Sequence, residues 1–172
     1  MIHDDERKQG VDAATDASTD ALADRWVIAE AVRAALAAGA PVVALESTIL
    51  AHGFPAGEGR VLADALEAAV RAAGAVPATI AIVAGKICVG LDGPQLDALL
   101  DGRPVGKCGA RELAWVAARG GDGATTVSGT MAVAAKAGIA VFATGGIGGV
   151  HRGFIDGHDV SADIDALGRY PV

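Results

Sequence analysis

Residues 139–153 read IAVFATGGIGGVHRG. Five apolar residues have the length of a buried strand, and the chain then spends five glycines within residues 144–153. So much bare backbone at the end of a strand suits a phosphate cradle, a nucleotide-binding loop or a merely tight connection. The spacing excludes the two commonest nucleotide loops. A dinucleotide fingerprint begun at Gly146 would place its last glycine on His151, and no helical period follows over residues 150–156. A phosphate loop of the Gly-Lys-Ser/Thr type is absent. Two readings stand. The loop presents free N–H groups to an anion or to sugar oxygens, with Arg152 as a charged fork, or it is a tight connection between packed elements.

Outward from this stretch, helical and buried-strand patterns alternate. A helix is expected over residues 21–38, capped by Asp20, with Leu22, Trp26, Ala29, Val32 and Leu36 near one face and Gly39 as its stop. Residues 42–45 read as a short strand that delivers Glu46, Ser47 and Thr48, and residues 52–55 as a loop. A second helix fits residues 58–73. Residues 78–83 and 87–89 read as a hairpin around Ala84-Gly85-Lys86. Further helices fit residues 95–100, 110–119, 128–136 and 162–167, the last capped by Ser161. Residues 104–107 suit another strand, and Tyr170-Pro-Val172 reads as the entry to one more. The expected fold is α/β, a layered α/β/α arrangement with a mixed central sheet that breaks off at the C-terminal end. Residues 1–20 are polar without apolar period and read as a mobile, disordered tail. Residues 21–172 read as one partial domain.

Composition narrows the function. The 172 residues carry a net charge of −7, which argues against general nucleic-acid binding, since that needs a basic surface. A local positive site for a small anion is still allowed. Only two cysteines, Cys88 and Cys108, occur. With no secretory segment and no long apolar span, this suggests a reduced, cytoplasmic setting and no membrane partner. Both cysteines sit among apolar neighbours and read as small core residues.

The candidate chemistry gathers at strand ends. Glu46 follows four apolar residues, where a carboxylate is disfavoured unless partnered or part of a site. Partial desolvation would suit it to carry a proton, and a solvated strand-end acid is the alternative. Asp156, His158, Asp159 and Asp163 form an oxygen- and nitrogen-rich segment that a divalent cation would accept. On pattern alone the segment reads first as a solvated loop with a Ser161 helix cap. The N–H groups after Thr125-Thr126-Val127, or those beyond Ser161, could meet an anion. The only lysines are Lys8, Lys86, Lys107 and Lys136; Lys107 is the best placed of them for an anion, with a solvated surface lysine as its default reading.

Together the segments PVVALESTILAHG, GAVPATIAIVAGKICVGL, GATTVSGTMAVAAKAGIAVFATGGIGGVHRG and DVSADIDAL resemble the pseudouridine-5′-phosphate glycosidase family, in order and in spacing. The resemblance covers residues 21–172. It implies reversible cleavage of the C–C glycosidic bond of pseudouridine 5′-phosphate to uracil and ribose 5-phosphate, with a divalent cation, usually Mn2+, and a homotrimer. By position it implies that Glu46 is the proton donor and that Lys107, Val127, Ser161, Ala162 and Asp163 bind substrate. It also implies that Asp159 holds the metal. Near Lys107 the text GKCGARELAW departs from the family, which has a serine and a first arginine there. The family's nucleophilic lysine follows the SAD helix in a CAGAK-like motif. Aligned without gaps, that position falls beyond Val172. The expectation is therefore impaired catalysis, or a non-catalytic sugar-phosphate-binding remnant, or one half of a split enzyme. A nucleotide-cofactor oxidoreductase is disfavoured by the failed fingerprint.

Overall fold

A computed structural model describes residues 25–55, 57–150, 152, 155 and 158–172. The strands are β1 (Trp26–Ile28), β2 (Val42–Leu45), β3 (Val76–Val83), β4 (Lys86–Val89), β5 (Gly106–Cys108), β6 (Gly123–Thr125) and β7 (Val141–Ala143). The helices are α1 (Glu30–Ala37), α2 (Thr48–His52), α3 (Glu58–Ala72), α4 (Gly93–Leu100), α5 (Leu113–Ala118), α6 (Val127–Ala137) and α7 (Ala162–Arg169). The sheet runs β1-β4-β3-β2-β7, with β6 beside β3 and β5 beside β6. It is mixed, as expected. β1 and β4 pair in parallel, as do β2 with β3 and with β7, and β5 with β6. β3 is antiparallel to both β4 and β6.

The residue alternation of β3 builds the three layers. Ala78 and Ile80 join Val32 and Ala35 of α1 and Val133 and Ala134 of α6, and Ile82 joins Val116 and Ala117 of α5. Thr79 and Ala81 turn to the other face. There Ala81 meets Leu99 of α4, and the Thr79 hydroxyl donates to Glu67 of α3 at 2.8 Å. On that same face Leu50, Ala63 and Leu96 lock α2, α3 and α4 together. Ile80 and Ile82 are fully buried, a burial worth about 1.5–3 kcal/mol for each side chain.

The β3–β4 hairpin turns at Ala84 and Gly85, both with positive φ of 49° and 74°. That pair of left-handed residues matches the twist of the flanking strands. α4 starts with a capping box between Asp92 and Gln95, which satisfies two main-chain N–H groups reciprocally.

Several boundaries move from expectation. Trp26-Val27-Ile28 is strand, not helix, and pairs with Ile87-Cys88-Val89. An aromatic and two β-branched residues suit the open edge of β4 better than a first helical turn. Helix α1 therefore begins at Glu30. Asp20 and Leu22, with the expected tail, lie outside the described residues. The strand expected over residues 104–107 lies at Gly106–Cys108. Tyr170 has extended backbone, and Tyr170 and Val172 pack on Val127, Met131 and Ala166.

Among the described residues no helix is long and apolar enough to cross a membrane. Cys88 and Cys108 are free and buried, and burial pushes both thiols up to about 11. At pH 8 only ~0.1% of either would be thiolate, so the folded chain should resist iodoacetamide. Mass spectrometry of native and urea-unfolded protein checks this. Rapid labelling of the native form would contradict it.

Candidate functional site

The site follows from how two strands share one edge of β3. β2 pairs along β3 as far as Leu45 opposite Thr79. β6 pairs from the other direction at Ala81 and Ile82. Their C-terminal ends therefore meet at Ile80, and the Ser47 N–H donates to the Thr125 carbonyl at 3.3 Å. β7 runs parallel to β2, and β5 parallel to β6, so four strand C-termini converge on this level. Beyond it the chain leaves β2 for α2 on one face and leaves β6 for α6 on the opposite face. Divergent exits at strand C-termini open the crevice where α/β folds bind ligands.

Side-chain hydroxyls fill the break in the ladder at Ile80. Ser47 and Thr125 both donate to the Ile80 carbonyl, at 2.7 and 2.6 Å. The Thr125 N–H donates back to Ser47 Oγ at 2.8 Å, and Thr130 donates to Thr125 Oγ1 at 2.9 Å. Thr48 donates to the Ala124 carbonyl at 3.0 Å. Among the described residues every buried side-chain nitrogen and oxygen has a partner. The floor of the crevice is thus rigid, as a preorganised site requires.

Glu46 stands on this floor, half-buried, with the Thr144 hydroxyl donating to its Oε1. Burial raises its pKa, the Thr144 hydrogen bond pulls it down, and the nearby Asp163 charge pushes it up again. A carboxyl held partly dry beside a second acid is poised to carry a proton. A raised carboxyl pKa favours the fold below the unfolded value, and that contribution is lost as pH rises through the folded value. Glu46→Gln should therefore gain stability over wild type as pH climbs from about 4 to about 7, and lose the advantage in acid. Urea unfolding at the two pH values reads the difference, and an advantage confined to acid would contradict it.

Asp163 ties the head of α6 to the glycine loop. Its Oδ1 accepts the Ser128 N–H at 2.9 Å and its Oδ2 the Gly148 N–H at 2.9 Å. It is 8% exposed, so both oxygens are spent on main chain. The first-turn N–H of α6, which the sequence offered to an anion, meets this carboxylate. Ser161 caps α7 by accepting the Asp163 N–H at 3.2 Å.

The glycine loop divides into two kinds of glycine. A Cβ on Gly148 would lie 2.2 Å from Ser161 Oγ and 2.9 Å from Asp163 Oδ2, so close packing alone demands glycine there. Gly146 and Gly149 have nothing within 4 Å of a Cβ position. Packing does not account for them, and their backbone faces open space. The N–H groups of Gly146 and Gly148 are used internally, on Thr144 Oγ1 and Asp163. An antiparallel bridge from Val150 to Val160 closes the loop onto the segment before α7.

The remaining sequence candidates are placed as follows. The Val127 side chain is buried against Met131 and Ala166, which leaves only its backbone for a ligand. Ala162 is the first residue of α7. Lys107 is exposed in β5, level with Ala124 of β6. Asp159 and Arg152 are exposed. His151 and Asp156 lie outside the described residues. Thr144 carries the geometry at Glu46 without having been singled out as a site residue. Its signal was a hydroxyl just past the end of a strand, in ATGG.

Residues 31–172 match the model of the family described as indigoidine synthase A like protein. The chain belongs to this family. Curated relatives in it are named pseudouridine-5′-phosphate glycosidase, as the resemblance implied. The relative from Herpetosiphon aurantiacus is 53% identical over 86% of this chain and 49% of its own length. The relative from Streptomyces griseus is 56% identical over 80% and 43%. This chain thus spans about half the length of the curated relatives it matches. Among solved structures, a prealnumycin C-glycosynthase in complex with ribulose 5-phosphate is 44% identical with a TM-score of 0.74, over 82% of this chain and 45% of that one. An indigoidine synthase A-like protein from Thermotoga maritima is 38% identical with a TM-score of 0.68, over 74% and 42%.

Proposed function

We propose that this chain forms the sugar-phosphate-binding and proton-donating part of a pseudouridine-5′-phosphate glycosidase. The observation that carries the reading is Glu46, a partly dry carboxyl at the convergence of four strand ends. The names of the relatives support the substrate, and the ribulose 5-phosphate of the C-glycosynthase supports a pentose phosphate in this fold.

The bond to be broken joins two carbons, so there is no leaving heteroatom to protonate, and paired-carboxylate glycoside chemistry does not apply. The family solves this with a lysine adduct at C1 of the opened ribose, whose nitrogen becomes an imine to C1 while the C–C bonding pair leaves with the uracil carbon. In our reading Glu46 delivers the proton that the departing uracil carbon needs. Lys107 supplies positive charge to the sugar phosphate, while Val127, Ser161 and Ala162 line it and the Asp163 carboxylate keeps the glycine loop in place.

A divalent cation, manganese in the family the sequence resembles, would sit on Asp159. Among the described residues no three His, Cys, Asp or Glu side chains gather around one point. Asp159 is an exposed carboxylate, a hard oxygen donor, so such a cation would take its other ligands from water and substrate oxygens. When bound, it supplies charge stabilisation to a sugar or phosphate oxygen.

None of Lys8, Lys86, Lys107 and Lys136 stands in the family's nucleophile motif. Residues 1–172 alone are therefore expected to release no uracil from pseudouridine 5′-phosphate with manganese. A second polypeptide bearing the lysine segment is expected to restore release. Turnover by residues 1–172 alone would overturn this assignment. In a second reading, a sugar-phosphate-binding module without catalysis, the lysine-bearing polypeptide restores nothing.

A further inference from the structure

Thr144 closes strand β7 level with the end of β2, and its hydroxyl has more partners than it has protons. Oγ1 donates to Glu46 Oε1, lies 3.0 Å from the Gly146 carbonyl, and accepts the Gly146 N–H at 3.3 Å. A hydroxyl carries one hydrogen and two lone pairs. It can serve the glutamate or the Gly146 carbonyl at any moment, and not both fully. We infer that Thr144 is a positioning residue, a hydroxyl rotor that couples the proton on Glu46 to the backbone of the glycine loop at Gly146.

The coupling follows from charge. An ionised Glu46 offers only acceptors, and a hydrogen bond to a charged oxygen is roughly twice as strong as one to a neutral oxygen. The Thr144 hydrogen then points at Glu46, and the Gly146 carbonyl loses its donor. Once Glu46 is protonated, its own O–H can donate to Thr144 Oγ1. The Thr144 hydrogen turns to the Gly146 carbonyl, and the loop gains a bond. The surroundings permit a response. Gly146 is exposed with open space over its Cα, while Gly148 is pinned to Asp163 two residues later. Motion is therefore confined to the segment between Thr144 and Gly148. Burial favours the protonated state, and among the described residues the charge of Asp163, on α7, adds to it.

The inference rests on Glu46 being the proton carrier of the proposed function, but its test needs no turnover. The Glu46 side-chain carboxyl carbon and the Gly146 amide are followed by NMR across a pH titration of the 172-residue chain. In wild type both signals should titrate with one midpoint. Thr144→Val should raise the Glu46 midpoint by about one pH unit, because only the ionised form used the donor, and should abolish the Gly146 step. Thr144→Ser should restore both. Glu46→Gln should abolish the Gly146 step with Thr144 intact. A Gly146 step that survives Glu46→Gln, or an unchanged Glu46 midpoint in Thr144→Val, would overturn the coupling. Should the valine variant fail to fold, the serine and glutamine variants decide: Gly146 must follow Glu46 in the first and fall silent in the second. Failure here would leave the uracil-release result untouched, so the two readings fall separately.

Discussion

Asp163→Ala is expected to lower the unfolding free energy by about 3 kcal/mol, because it strands two main-chain N–H groups whose charge-assisted bonds are each worth ~1.5–3 kcal/mol. The stranded donors are Ser128 N–H at the head of α6 and Gly148 N–H in the glycine loop. One carboxylate thus ties together two segments far apart in sequence. Asp163→Asn keeps one acceptor and turns an amide donor against the other N–H, so it should lose about half as much. The same substitutions remove the charge that raises the Glu46 pKa, so the Glu46 titration should move down. Urea unfolding and the Glu46 carboxyl titration check the two effects. A stable Asp163→Ala chain with an unmoved Glu46 would show that the link bears neither load.

Gly148→Ala is the second large effect, with a destabilisation of about 2–3 kcal/mol from overpacking. The new methyl would press on Ser161 Oγ and Cβ, at 2.2 and 2.6 Å, and on the Asp163 carboxylate. These atoms belong to a helix cap and a buried ion, not to the free end of a flexible side chain, so relief requires the loop to move. Gly149→Ala is the control, since nothing lies within 4 Å of its Cβ position, and its effect should stay within about 0.5 kcal/mol. Thermal or urea unfolding of the pair reads the contrast. Equal losses would mean that the loop's glycines serve the backbone generally, and not one close approach.

Much of this was legible in the sequence because it rests on local pattern. The β2 run and Glu46 at its end, the left-handed turn at Ala84-Gly85 and the alternation of helix with buried strand all announce themselves over a few residues. What stayed hidden depends on distant main chain. Asp163 looks like one more acid in a polar loop, since its partners lie 35 and 15 residues back. Thr144 looks like a spacer before glycines, and its carboxylate partner is 98 residues away. Strand β6 is Gly123-Ala124-Thr125, too short and too small to show a period. It exists because the edge of β3 is vacant past Thr79. The β1 segment misled for the opposite reason. Trp26, Ala29 and Val32 fit a helical period, and only the free edge of β4 makes a strand of residues 26–28.

The central claim is a pentose-phosphate site at the convergence of β2, β5, β6 and β7, walled by the glycine loop. Calorimetric titration of the 172-residue chain with ribose 5-phosphate tests it most directly. One site per chain is expected, weakened at least about tenfold, some 1.4 kcal/mol, by Lys107→Ala, and weakened likewise by Gly148→Ala in chain that remains folded. A folded chain that takes up no ribose 5-phosphate, or binds it with the same affinity after both substitutions, would contradict it.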